Sequence, residues 1–190
     1  EIIFTGSATE SNNLALKGAA LANKKKGKHI LISAVEHDCV LGAGEWLKKQ
    51  GFEVEKIPVD KDGLVKPEKV RNMIREDTVL ISLMHANNEI GTIQPVEKVG
   101  QLCRQKDILF HTDAAQTLGK IKIEVEKMKA DLLTISSHKV YGPKGVGALF
   151  IRKGVRVEPL LHGGGHEKGI RSSTPNVAGI VGFYEEVKIY

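Results

Sequence analysis

The chain has 190 residues, 41% of them hydrophobic and 27% charged, with a formal net charge of +5. This length supports one substantial domain with a hydrophobic core, and no stretch approaches the ~20 apolar residues that a membrane helix requires. The two cysteines, Cys39 and Cys103, are too few for a disulfide framework, so a reducing, cytoplasmic compartment is expected.

The first run, EIIFT, reads as a strand and leads into an apolar, small-residue helix over about residues 10–26. Residues 29–35 (HILISAV) form a continuous apolar run, as in a strand buried on both faces. A helix over about residues 38–50 stops at Gly51, and residues 52–59 alternate like a half-buried strand. Pro67 opens a helix to about residue 75, and residues 78–84 (TVLISLM) form another buried strand. Pro95 opens the next helix, to about residue 106. Three further strands are predicted at residues 108–112, 131–136 and 146–151, and a last helix from Pro175 to the end at Tyr190. Alternating strand and helix implies an α/β fold with a mainly parallel sheet. The chain opens in mid-strand without a methionine or a signal peptide and stops inside a helical pattern, so a piece of a longer protein is expected.

The one dense basic run, NKKKGKH at residues 23–29, falls where a helix ends. Lysines there suit the helix dipole and the solvent. Other basic residues are spread along the chain and aromatics make up only 5%, so direct nucleic-acid binding is not expected.

In a sheet of this kind ligands sit beyond the carboxyl ends of the strands. The first strand is followed by TGSATESNN, a glycine and small hydroxyl residues at a helix start. Its N–H groups suit a phosphate, or Ser7 or Thr9 simply caps the helix. Glu36-His37 follows the second buried run, and there His37 is a base, a stacking ring or a surface residue. HANNEIG, residues 85–91, offers amide donors and acceptors or an Asx turn. Asp113 stands at the mouth of a buried strand, as a partner for a protonated ring nitrogen or as a cap. Ser136-Ser137-His138-Lys139 ends another strand, and Lys139 is either a reacting group or one surface lysine of many. Taken together, a phosphate cradle, a stacking ring, an acid for a ring nitrogen, amides and a lysine are what pyridoxal 5′-phosphate requires.

The segments ATESNNLA, VEH, HANNEIG, HTDAAQTLGK, SSHKVYGPKGVGAL and GGGHEKGIRSST, in this order, closely resemble the cysteine desulfurases of the iron–sulfur-cluster type. These belong to the class V aminotransferase group of fold-type I enzymes. The resemblance implies a three-layer α/β sandwich, with residues 1–190 forming most of the large cofactor domain and lacking an N-terminal arm and a C-terminal small domain. It implies that Lys139 carries pyridoxal phosphate as a Schiff base. Ala8 and Thr9, with Ser136 and His138, would hold the phosphate; His37 would stack on the ring and move protons; Asp113 would pair with the ring nitrogen. Gln116 and Asn88 would face the phenolic oxygen, and Thr174 would reach the cofactor phosphate of the other subunit of a homodimer. Gly6-Ser7 reverses the family's usual Ser-Gly order.

The implied reaction turns L-cysteine into L-alanine and passes persulfide sulfur to an acceptor, an iron–sulfur scaffold protein or the tRNA-thiolation route. The family's loop cysteine and its carboxylate-binding arginine are not in these 190 residues, so inactivity of this piece alone is expected. Cys103 reads as a packed thiol and Cys39 is given no catalytic role. Rival readings are a selenocysteine lyase or another class V enzyme, and a non-catalytic nucleic-acid-binding module. HGGGHE, residues 162–167, is reminiscent of esterase oxyanion glycines, but no G-x-S-x-G accompanies it. No metal site is expected of His162, His166 and Glu167, since glycine-rich backbone holds ligands poorly.

Overall fold

Strands whose side chains are apolar on both sides need cover on both faces, and the chain supplies it from helices placed between them. The structure, a computed structural model, describes residues 1–189; Tyr190, expected in the last helix, lies outside the described residues. Seven strands form one sheet: β1 (Ile2–Thr5), β2 (His29–Ser33), β3 (Glu53–Ile57), β4 (Thr78–Ser82), β5 (Leu109–Asp113), β6 (Leu132–Ser136) and β7 (Gly147–Ile151). Their order is β1-β7-β6-β5-β4-β2-β3. The strands from β3 to β6 pair in parallel, while β7 runs antiparallel to both β6 and β1. The fold is α/β with a mainly parallel sheet, as the sequence implied.

Alternate residues of each strand feed two cores. Ile30, Ile32 and Leu80 point to one face, with Leu16 and Leu47 from the covering helices. Leu31, Ile81, Phe110 and Leu133 point to the other, with Val70, Val99 and Leu102. Each fully buried Leu, Ile or Phe contributes roughly 1.5–3 kcal/mol. The first layer is α1 (Ala8–Asn13), a π-helical turn (Leu14–Gly18), α2 (Ala19–Asn23) and α3 (Asp38–Lys49). The second is α4 (Pro67–Met73), α5 (Val96–Gln105) and the short α6 (Val125–Met128); α7 (Val177–Val187) lies near the turn after β6.

Some boundaries differ from the sequence expectation for identifiable reasons. The first helix begins at Ala8 because Ser7 caps it, its Oγ accepting from Glu10 N at 3.2 Å. The π-turn within it coincides with a close approach: a Cβ on Gly18 would lie 2.4 Å from Val157 Cγ1. The fourth helix ends at Met73, two residues early, and Arg75 N instead donates to Thr78 Oγ1 at 2.8 Å. The short α6 was not predicted; it stops after one turn at Lys129, which takes left-handed φ of 53°.

Candidate active site

Four neighbouring strands, β2, β4, β5 and β6, direct the segments after their carboxyl ends into one cleft. The start of α1 bounds the cleft on another side. Ser7, Ala8 and Thr9 line it there. Gly147 of β7 backs this loop so closely that a Cβ would sit 2.6 Å from the Ser7 carbonyl carbon. The reversed Gly6-Ser7 order has a local reason. Ser7 is the helix cap, and Gly6 N donates to Glu10 Oε2 at 2.7 Å. Arg171 clamps the same carboxylate through Nε at 2.6 Å and Nη2 at 3.0 Å. Burial raises the Glu10 carboxyl, but Arg171 and the Gly6 N–H outweigh it and leave it below the usual range.

His37 and Cys39 enter the cleft from the end of β2. His37 caps α3, with Nδ1 accepting from Cys39 N at 3.2 Å, so the ring proton belongs on Nε2. The Cys39 thiol lies 3.1 Å from both His37 Nδ1 and Asn12 Nδ2, and burial pushes it above the ordinary thiol range. That disfavours a thiolate nucleophile. Cys103 is fully buried in α5 and pushed up further by burial.

The two asparagines after β4 divide their labour. Asn87 makes the Asx turn, its Oδ1 accepting from Glu89 N at 2.8 Å and Ile90 N at 2.9 Å. Asn88 is exposed and lines the cleft. Asp113, at the end of β5, caps the turn that follows and lines the cleft. Oδ1 accepts from Ala115 N at 2.9 Å, holding the turn, and Oδ2 accepts from Asn12 Nδ2 at 2.6 Å. Burial raises its carboxyl above the ordinary range, and no cation bonds it among the described residues. Gln116 is half-buried in the wall beside it.

After β6, residues 137–140 form a 3₁₀ turn that presents Lys139 to the cleft. Ser136 Oγ and His138 Nδ1 are 2.9 Å apart. Burial, then the charges of Lys139 and Lys144, hold His138 below the ordinary imidazole range. Two lysines around a neutral imidazole suit an anion.

Nine of the ten residues singled out in the sequence therefore line one cleft. The tenth, Thr174, does not: it is exposed in an adjoining groove beside Gly6, Gly145 and Arg171. Glu167 is engaged elsewhere, Oε2 accepting from Phe4 N at 2.8 Å. Sequence reasoning missed two buried groups. Asn12 holds Asp113, and its Oδ1 has no partner among the described residues. A signal existed, since Asn12 falls on the stripe with Leu16 and Ala19 that the first helix buries. Glu36 is buried beneath the cleft, pushed up to about 8 by burial and then by the charge of Asp113.

An open sheet with a lysine, a buried acid and a helix start converging at its carboxyl ends defines an α/β domain with a polar cleft where such sheets bind ligands. The family model of the class-V aminotransferases matches residues 1–190, and the chain belongs to that family. It is 56% identical over 182 residues to cysteine desulfurase IscS of Methanosarcina thermophila, covering 96% of this chain and 45% of that protein. Among solved structures it is similar to a NifS-like protein, with a TM-score of 0.96 and 48% identity over 100% of this chain and 52% of the other. It is similar also to SspA, solved in complex with cysteine, with a TM-score of 0.96 and 44% identity over 100% of this chain and 55% of that one. The chain spans about half the length of the curated relatives it matches.

Proposed function

We propose that these residues are the large, cofactor-binding domain of a homodimeric, cytoplasmic, pyridoxal phosphate-dependent cysteine desulfurase. It would convert L-cysteine to L-alanine and hand persulfide sulfur to an acceptor protein, such as an iron–sulfur scaffold or a tRNA-thiolation partner. The observation that carries the reading is Asp113, a buried carboxyl without a cation, sharing one cleft with Lys139 and the start of α1. A protonated ring nitrogen supplies the missing cation. The polar groups converging on the cleft and the unpartnered Asn12 Oδ1 beside Asp113 fit a polar ligand. Among the described residues no helix is long and apolar enough to cross a membrane.

When bound, pyridoxal phosphate supplies an electron sink for negative charge at the substrate α-carbon. The chain's own groups do the rest. Asp113 would face the ring nitrogen and hold its proton, with its carboxylate fixed by Asn12. Gln116 and Asn88 would offer amides to the phenolic oxygen. The backbone N–H groups of Ala8 and Thr9, with Ser136 and His138, would hold the phosphate. His37 would lie against the ring with Nε2–H available. Lys139 would hold the group through its amine and serve as the base for the substrate α-proton. Thr174, outside this cleft, is assigned to the partner subunit's phosphate. The sulfur-accepting cysteine and the carboxylate-binding arginine are assigned to residues beyond these 190, because Cys39 and Cys103 are raised, neutral thiols.

Loading with pyridoxal phosphate, borohydride reduction and peptide mapping test the reading. A pyridoxyl adduct on Lys139 is expected; an adduct on Lys144, or none, overturns it. Alanine release from L-cysteine and from L-selenocysteine by the full-length protein separates a desulfurase from a selenocysteine lyase.

A further inference from the structure

The chain order of the sheet reverses between β2 and β4. From β2 the chain passes outward to β3 through α3; from β4 it passes the other way to β5 through α5. The strand ends part there, and such partings are where α/β sheets bind ligands. Glu36 fills this one. Its Oε1 accepts from Ser33 Oγ at 2.9 Å and from Met84 N at 2.7 Å, joining the end of β2 to the end of β4. The next amide, His85 N, donates to the carbonyl of Asp113 at 2.8 Å. One carboxyl oxygen thus anchors the peptide whose neighbour holds the backbone of Asp113.

The other oxygen, Oε2, has no hydrogen-bond partner among the described residues, and the residue is only 6% exposed. An ionised Oε2 would be a charge with neither donor nor solvent. A protonated one leaves Oε1 as a carbonyl oxygen accepting two bonds, the arrangement observed. Asp113 differs, because donors bond both of its oxygens.

We propose that Glu36 is a positioning residue of the pyridoxal phosphate site: a neutral carboxylic acid that ties β2 to β4 and leaves Asp113 as the ionised carboxylate beneath the cleft. The inference rests on the cofactor reading above. Burial, then the negative charge of Asp113 at the end of β5, pushes Glu36 up to about 8. His37 and Cys39 face it from the start of α3, and His85 follows β4. Burial keeps the Cys39 thiol neutral and lowers His85. Burial raises Asp113 as well, and Lys139, from the turn after β6, offsets part of that rise. Ionising Glu36 therefore places a second negative charge beside the one the cofactor ring uses.

The test compares wild type with Glu36→Gln and Glu36→Ala. Infrared spectra of the cofactor-free protein at pH 7 should show a buried carboxylic-acid band that Glu36→Gln removes. The band should fade with a midpoint near 8, and at lower pH in Asp113→Asn. Glu36→Ala should weaken pyridoxal phosphate binding at pH 7 by about tenfold, and the isosteric Gln should restore it. Above pH 9 wild type should bind more weakly than Glu36→Gln. Identical spectra for wild type and Glu36→Gln at pH 7 overturn the proposal, as does equal weakening by Gln and Ala. If Glu36→Gln does not fold, NMR titration of wild type labelled with ¹³C-carboxyl glutamate reads the same midpoint, and a value below 6 overturns it. An intact band without an adduct on Lys139 refutes the cofactor reading alone; an adduct without the band refutes the role of Glu36 alone.

Discussion

Asp113→Asn changes one charge and almost no volume, so it separates the electrostatic demand of the site from its packing. The turn bond survives, because an amide oxygen can still accept from Ala115 N. The other end faces Asn12 Nδ2 at 2.6 Å, and two amide NH₂ groups cannot share that contact. Asn12 must turn over and present Oδ1, which at present has no partner among the described residues. Folding should lose little, since burial already disfavours the ionised carboxylate. The expected thermal midpoint is that of wild type or slightly higher. The cofactor is affected far more. A protonated ring nitrogen and a carboxylate about 3 Å apart attract by about 5 kcal/mol at an effective dielectric of about 20. Keeping a dipole in place of the charge retains part of this, leaving a loss of about 3–4 kcal/mol. That lowers the ring nitrogen's affinity for its proton by roughly 2–3 pH units, and the α-proton step by roughly 10²–10³-fold. The assay is alanine release by the full-length protein loaded with pyridoxal phosphate, with borohydride mapping to confirm the adduct on Lys139. A variant that keeps its fold, its adduct and a kcat close to that of wild type would refute the assignment of Asp113.

Glu36 also links stability to pH. Its folded pKa of about 8 stands above its ordinary 4.5, so its contribution is complete below pH 4.5 and is lost as pH rises towards 8. The loss amounts to at most about 5 kcal/mol; urea midpoints between pH 5 and 9 should fall for wild type and stay flatter for Glu36→Gln. Gly100→Ala should destabilise the fold by about 3 kcal/mol or more. A Cβ there would lie 1.8 Å from the Met128 carbonyl oxygen, and chemical denaturation reads the cost. Arg171→Ala removes the clamp on Glu10, a half-buried pair worth about 1 kcal/mol. Hydrogen exchange in the loop around Thr174 should quicken roughly fivefold, whereas exchange in β4 and β5 should not change. Lys139→Ala should abolish the borohydride-fixed adduct while leaving the thermal midpoint within about 2 °C, since the side chain is exposed.

The strands were legible because burial on both faces writes unbroken apolar runs, as in β2 and β4, and because proline and glycine mark the helix ends at Pro67 and Gly51. The meeting place of these residues was legible because a parallel sheet turns each strand end into an address: Asp113, His37 and Lys139 were expected to meet there, and they line one cleft. Their double duties were not legible. Asp113 holds a turn and faces the cleft, and Asn87 and Asn88, adjacent in the chain, do different work. Glu36 and Asn12 were missed because each acts through a partner distant in sequence, Met84 or Asp113. The π-turn at Leu14–Gly18 was missed for the same reason, since its close contact at Gly18 comes from Val157.

The bond from Phe4 N to Glu167 has a consequence for the molecule's company. β1 is an outer strand, and an outer strand offers its amides to any passing extended chain. Here a carboxylate takes one of them, and a carboxylate has no N–H with which to continue the ladder. At the opposite margin β3 reads EVEKI, and Arg75 grips the carboxylate of Glu53 there with two bonds, so charged side chains crowd that edge. Each margin of the sheet thus carries charged groups that work against its extension by the edge of a second copy.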